Sequence, residues 1–155
     1  MVDLLSQVQV LMQDLGPAVP DIEFVVQQAS GQWNVHLNDG FVIDVTYCSH
    51  PARLMLSTLI GTPSAHRLSE VHITMLCANL IFAEDHALRV ALTHPDGELM
   101  LISEWTLEHG LLTELRDALL QYADRTRYFS ELVDAQDIEQ EPVPLSAPVQ
   151  MLERI

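Results

Sequence analysis

The sequence contains no lysine, and its seven basic residues, all arginines, stand against 22 carboxylates. The formal net charge is therefore −15 at pH 7, with histidine counted as neutral. Nucleic-acid-binding proteins neutralise phosphates with clustered basic residues, and anionic membrane surfaces attract the same residues. So few positive charges on so acidic a chain argue against both partners, and we expect neither nucleic acid nor membrane to bind.

Long hydrophobic runs and paired cysteines are also missing. No apolar run approaches the roughly 20 residues of a transmembrane helix, and Asp3 stands where a secretory signal peptide needs basic residues. The only cysteines, Cys48 and Cys77, lie outside any CxxC pattern. This usage is typical of reduced thiols in the cytosol, so we expect a cytoplasmic location.

Motifs of catalytic and cofactor sites are absent as well. The chain has no GxSxG, GxGxxG or P-loop sequence, and none of its seven histidines falls in an HxH, HxxxH or HExxH pattern. Glu84, Asp85 and His86 are more simply a polar helix boundary than an acid–base cluster. We therefore expect no enzyme, no cofactor and no metal; a small metal-dependent enzyme is an alternative that elemental analysis would test.

What the chain does have is hydrophobic sequence: 48% of its residues are hydrophobic and only 19% are charged. Disordered acidic segments combine high charge with low hydrophobicity, so this composition predicts a folded domain with a sizeable core. The charged fraction is below the usual quarter, which leaves apolar surface available for another protein chain.

The periodicity of the apolar residues predicts an α+β fold. Spacings of three and four indicate helices, and alternation indicates strands. The predicted order is α-β-β-β-α-β-β-α with a mostly antiparallel, twisted sheet, and residues 22–28 are an additional strand candidate. The predicted helices are 3–15, ended by Gly16-Pro17, then 68–84 and 107–132; the predicted strands are 33–37, 41–47, 53–60, 87–93 and 98–105.

The second predicted helix is apolar on nearly every side, so it must be covered on two sides. The sheet would cover one side, and a second subunit is the natural cover for the other. Asn79 lies within this helix, where an unpaired buried amide would cost about 1–3 kcal/mol. It either bonds the backbone of a neighbouring strand or pairs across a subunit boundary.

Residues 134–155, here called the arm, differ in composition from the predicted domain, 1–133. Three of the eight prolines lie between positions 142 and 148, which rules out a continued helix or a central strand. The arm is either a solvated tail or an extended segment whose apolar residues dock in a groove. We hypothesise that the arm occupies a groove, in its own chain or in a second subunit, that also accepts a binding partner, and that the arm leaves when this partner binds.

The ordered set of elements resembles one known family. Residues 75–83 read MLCANLIFA, a strand LRVAL follows at 88–92, and DGELML at 96–101 completes a hairpin before the helix from Leu107. Together with the meander of residues 33–60, this set resembles the class I type III secretion chaperones of the Tir chaperone family, over residues 3–133.

The resemblance implies a cytoplasmic homodimer that binds the N-terminal region of a secreted effector and keeps it extended without using ATP. It also allows the secretion-apparatus ATPase as a partner. By position it implies dimer contacts at Val71, Leu76, Leu80 and Ile81, with Asn79 as a further candidate. It implies effector contacts on the first helix and on exposed strand positions, namely Leu4, Val8, Leu11, Leu99 and Leu101. A regulatory or adaptor protein of the same fold, with a cytosolic partner, is the alternative.

Overall fold

The computed structural model describes residues 3–95, 97–107 and 112–135. Within them the chain forms three helices and six strands in the order α-β-β-β-β-α-β-β-α. The helices are α1 (Leu4–Ala18), α2 (Leu68–Ile81) and α3 (Leu112–Asp134). The strands are β1 (Ile22–Ala29), β2 (Gln32–Leu37), β3 (Val42–Ser49), β4 (Ala52–Gly61), β5 (Arg89–Leu92) and β6 (Leu99–Thr106).

The six strands form one antiparallel sheet in the order β1-β2-β3-β4-β6-β5. The predicted α+β class and antiparallel sheet are confirmed. The additional strand candidate is real: it is β1, which pairs with β2 and lies at one edge of the sheet. The short strand β5 lies at the other edge, because β6 inserts between it and β4.

The core lies on one face of the sheet. Alternate residues of β4 and β6 are buried, such as Leu54, Leu56 and Leu101, because successive strand side chains point to opposite faces. Helices α1 and α3 contribute the other side of this core through Met12, Leu15, Leu115, Leu119 and Phe129. Tyr122 of α3 anchors the two layers: its buried hydroxyl donates to the Leu101 carbonyl at 2.7 Å, and burial raises the pKa of this phenol.

The C-terminal ends of α1 and α2 each differ by three residues from the sequence prediction. The prediction that Gly16-Pro17 ends α1 is wrong, since the helix continues to Ala18 with Pro17 inside it. A proline in the last turn removes only one backbone hydrogen bond, and its fixed φ suits a helix. Helix α2 ends at Ile81, three residues earlier than expected, and the Phe82 N–H closes it by donating to the Ala78 carbonyl at 2.9 Å.

Helix α3 is tied to the turn between β2 and β3 by an ion pair. Arg127 binds both Asp39 of the turn and Asp124 of its own helix. Burial raises the pKa of Asp39, but hydrogen bonds from Arg127 and from the Phe41 N–H, with the charge of Arg127, outweigh it. The pKa of Asp39 is therefore lower than usual, and folding favours its charged form.

We expect Asp39→Asn to lower the free energy of unfolding at pH 7 by less than about 1 kcal/mol, because both side chains of the pair are partly exposed and solvent screens their interaction. The contribution of a carboxyl with a lowered pKa is complete above its unfolded pKa and is lost as the pH falls through its folded pKa. The difference between wild type and variant should therefore shrink at about pH 3. Urea unfolding at both pH values measures it, with the exposed Asp14→Asn as control; an equal loss at both would contradict the ion-pair interpretation.

Candidate functional site

The first candidate surface is the outward side of α2. Val71, Met75 and Ala78 pack toward the core, while the opposite side of the helix presents large apolar residues to solvent. Their exposed fractions are 62% for Ile73, 69% for Leu76, 83% for Leu80 and 74% for Ile81. We call these four residues the α2 face. An exposed apolar row on a folded domain is typical of a protein interaction surface.

A cleft of about 320 Å³ separates the α2 face from β5. Met75, Leu76, Val90, Leu92 and Leu99 line it, so its walls are mainly apolar and suited to an apolar side chain. His72 lines it too, and among the described residues its buried Nε2 has no hydrogen-bond partner.

Asn79 joins α2 to β5 through two hydrogen bonds. Its Oδ1 accepts from the Val90 N–H at 2.7 Å, and its Nδ2 donates to the Val90 carbonyl at 3.1 Å. Of the two alternatives for this residue, the structure shows the bond to a neighbouring strand. Because β5 is an edge strand, Asn79 occupies main-chain groups that would otherwise be open to an added strand.

We expect Asn79→Ala to destabilise the protein by about 2 kcal/mol, because it leaves the N–H and C=O of Val90 without their partner in a half-buried position. Asn34→Ala is the matched control, since the amide of Asn34 bonds only the exposed Asp44 carboxylate, at 2.6 Å. Chemical denaturation measures the loss, and hydrogen exchange of the Val90 amide locates it. Equal losses in both variants would contradict the role of the bonds to Val90.

The second candidate surface is a groove between α1 and β1 with a volume of about 550 Å³. We call it the α1–β1 groove. Its helical wall includes Gln13, Gly16 and Pro17, and its strand wall includes Val25 and Gln27. Gly16 leaves room there, because a Cβ at this position would meet only the Val25 Cγ2, at 3.9 Å.

Strand β1 gives the groove an open main-chain edge. In the described sheet, β1 pairs with β2 on one side only, so its outer N–H and C=O groups are available. Apolar side chains flank this edge: Phe24 is 44% exposed and stacked on His36, and Val26 is 38% exposed. An extended peptide could add here through its backbone while its side chains enter the groove.

The arginines leave little positive charge for an anionic ligand at either surface. Arg53 and Arg89 both bind Glu104, Arg125 binds Asp85, and Arg116 binds Asp117, at 3.0–3.3 Å. Arg67 pairs with Glu70, and Arg127 pairs with Asp39 and Asp124. Each of the six arginines in the described ranges therefore has a carboxylate partner.

A sequence model of the Tir chaperone protein (CesT) family matches residues 21–129, from the start of β1 through most of α3. The chain belongs to the Tir chaperone family. The resemblance read from the ordered elements is thus confirmed. None of the curated protein sequences is significantly similar to the chain.

Solved structures with this fold include members of chaperone–effector complexes. A chain of the HopA1–SchA chaperone–effector complex superposes with a TM-score of 0.65 at 16% identity, covering 84% of this chain and 99% of its own. A chain of the ExsC–ExsE complex gives 0.66 at 13% identity, with 87% and 100% covered. A chain from the structure of the Yersinia pestis type III secretion chaperone SycH in complex with a stable fragment of YscM2 gives 0.54 at 16% identity, with 77% and 97% covered.

The residues that the resemblance assigns to effector binding lie in different environments in this Tir chaperone family member. Leu4 and Leu11 are half-buried against the core, while Val8, Leu99 and Leu101 are at most 2% exposed. The expectation that Leu99 and Leu101 are exposed strand positions is wrong, because their side chains point to the face that the helices cover. Leu99 nevertheless borders the cleft beside β5.

The residues that the resemblance assigns to the dimer interface also include both exposed and buried side chains. Leu76, Leu80 and Ile81 are exposed on the α2 face, whereas Val71 is 3% exposed and belongs to the core. Sequence reasoning missed Ile73, which is exposed beside Leu76 and Leu80 on the α2 face. The spacing in the sequence could have identified it, because Ile73, Leu76 and Leu80 are three and four residues apart and so share one side of the helix.

Phe24 and Val26 were also not assigned to a site. Their segment was only an optional strand in the sequence, so its edge position could not be anticipated. In the described part of the chain, no group of three or more metal-ligating side chains comes together. No helix in the same part is long and apolar enough to cross a bilayer.

Proposed function

We propose that the protein is a cytoplasmic chaperone that binds the N-terminal region of a type III secreted effector and keeps that region extended, without ATP. The observation that carries the proposal is the open edge of β1 beside the 550 Å³ α1–β1 groove. Membership of the Tir chaperone family and the fold shared with chains of chaperone–effector complexes support it.

The effector segment would bind as an added strand. Main-chain hydrogen bonds to β1 give affinity for any extended sequence, and alternate side chains entering the α1–β1 groove give preference for apolar residues. Leu4 and Leu11, half-buried on α1, do not line the groove, because they lie on the opposite flank of the helix from Gln13, and they are left out of this contact. This mode holds the cargo non-covalently, so it needs no catalytic residue and no nucleotide.

The second part of the proposal is a homodimer formed through α2. Ile73, Leu76 and Leu80 would pack against the same residues of a second copy, since a two-fold interface uses one surface patch twice. The cleft beside β5 offers space for a side chain of that copy. Ile81 lies at the margin of this contact, while Asn79 keeps its bonds to Val90.

Co-expression of the tagged chain with the reading frames next to its gene tests both parts. We expect a dimer to copurify with a secreted protein and to hold that protein after all but about its first hundred residues are removed. Size-exclusion chromatography with light scattering gives the stoichiometry. Capture of a protein that is never secreted would favour the adaptor alternative and contradict the proposal, and a stable monomer at micromolar concentration would contradict the dimer.

A further inference from the structure

The arm carries a pattern of prolines that is compatible with pairing as an edge strand. Residues 142–152 contain no charge, and their three prolines stand at positions 142, 144 and 148. All three positions are even. In a strand, the N–H and C=O of one residue point to the same side and those of the next residue point to the opposite side.

The odd positions therefore keep every N–H that a neighbouring strand would need. These positions are Val143, Leu145, Ala147, Val149 and Met151, all apolar. Paired through them, residues 142–152 would place the three prolines on the outer side, where no further strand could add. The prolines also favour extended backbone in the residues before them, which reduces the entropy lost on docking.

The described chain ends close enough to β1 for its own arm to reach it. Val133 and Asp134 lie against Gly61 at the end of β4, and Arg67 holds the last turn of α3 through the carbonyls of Leu132 and Val133, at 3.4–3.5 Å. The position outside β1 is four strand spacings from β4, about 19 Å. Residues 136–142 span up to about 23 Å when extended.

The C-terminal end of α3 and the start of β1 also lie at the same end of the sheet. Arg127 of α3 binds Asp39 in the β2–β3 turn, and the neighbouring Asn38 N–H donates to the Asp21 carbonyl, just before β1, at 3.1 Å. The arm therefore leaves α3 at the same end of the sheet as the start of β1, and it reaches β1 by passing along that end, across β3 and β2.

Of the two edges, only β1 suits this segment. At β5, Asn79 already occupies the N–H and C=O of Val90, and that strand has only four residues. The α2 face is apolar but is the side of a helix, which offers no main-chain groups. The eight-residue β1 combines a free edge with the α1–β1 groove for alternate apolar side chains.

We propose that residues 142–152 of the arm add to the edge of β1 in the same chain and occupy the α1–β1 groove when no other chain is bound. The arm protects the edge from unspecific strand addition. Its displacement by effector rests on the function proposed above; the docking itself does not.

The test is a pair of proline substitutions in the full chain. One lies at an odd position, whose N–H would pair with β1, and the other lies at the neighbouring even position, whose N–H would point outward. Ala147→Pro removes a pairing N–H, whereas Ser146→Pro adds a proline on the outer side. We expect Ala147→Pro to speed hydrogen exchange of residues 22–29 about tenfold, because the edge opens locally. Ser146→Pro should exchange as wild type does. The result should not depend on protein concentration, since the arm belongs to the same chain.

Several outcomes would overturn the proposal. One is that residues 22–29 exchange at the same rate in wild type and in both variants, and another is that both variants increase this rate equally. A third is a change in exchange confined to residues 68–92, which would place the arm on α2. Loss of the effect on dilution would assign the arm to a second copy instead.

A fluorescent peptide with the sequence of residues 142–152 provides an independent readout. If the arm occupies the groove most of the time, Ala147→Pro should bind this peptide about tenfold more tightly than wild type does. Equal affinity for both proteins would contradict the proposal. Neither measurement uses effector, so a chain that captures no secreted protein could still show the docked arm, and the two proposals fail separately.

Discussion

Replacing Leu76 and Leu80 together by glutamate should convert the proposed dimer into a monomer. Burying one leucine contributes about 1.5–3 kcal/mol, and a two-fold interface contains each residue twice. The double variant removes four such contributions and places four carboxylates against one another. We expect the dimer dissociation constant to rise at least about 100-fold, and light scattering at micromolar concentration to report the monomer mass.

Both positions can be changed without harm to the monomer, because their side chains are 69% and 83% exposed. The matched control is Thr113→Glu with Gln121→Glu, which adds the same charge on the exposed side of α3. It should remain a dimer, so net charge alone would not explain dissociation. An unchanged mass of the α2 variant, with the wild-type circular dichroism spectrum, would contradict a dimer through α2.

Gly16→Phe should abolish capture of the effector, with at least about a 100-fold loss of affinity. Position 16 lies in the helical wall of the α1–β1 groove, and a Cβ there meets only ordinary van der Waals contact with Val25. A phenylalanine can therefore enter the groove without displacing the backbone and fill the space that cargo side chains would take. The assay is titration of effector obtained by the co-expression described above.

Gly16→Ala is the control for this prediction. A single methyl group leaves the groove open, and alanine in a helix stabilises the fold by about 0.4–1 kcal/mol relative to glycine. The alanine variant should therefore melt higher than wild type and bind effector equally well. If phenylalanine leaves affinity unchanged, cargo does not use this groove.

Helix α2 shows how far the sequence could lead. Its apolar residues on every side predicted two covered sides, and the structure has a core side at Val71 and Met75 and an exposed side at Leu76 and Leu80. Which residue belonged to which side depends on where the sheet lies, and this is set by contacts far apart in sequence. For that reason Val71 was assigned to the dimer together with Leu76.

The strands show a similar limit to what the sequence could predict. Alternation of apolar residues established β2, β4 and β6 but did not reveal which set faces the helices, so Leu99 and Leu101 were expected on the surface. The order of strands in the sheet is equally non-local. The groove beside β1 could be recognised only once residues 22–29 were known to form an edge.

The pairing of the described arginines has a kinetic consequence. Because each of the six already has a carboxylate partner, the surplus of negative charge stays exposed to solvent as a long-range field. Such a field accelerates the encounter with a basic chain and slows the encounter with an acidic one. Raising the ionic strength shortens its range to about 8 Å at 0.15 M. Cargo with a basic binding segment should therefore associate progressively more slowly as salt is added, while its dissociation rate changes little.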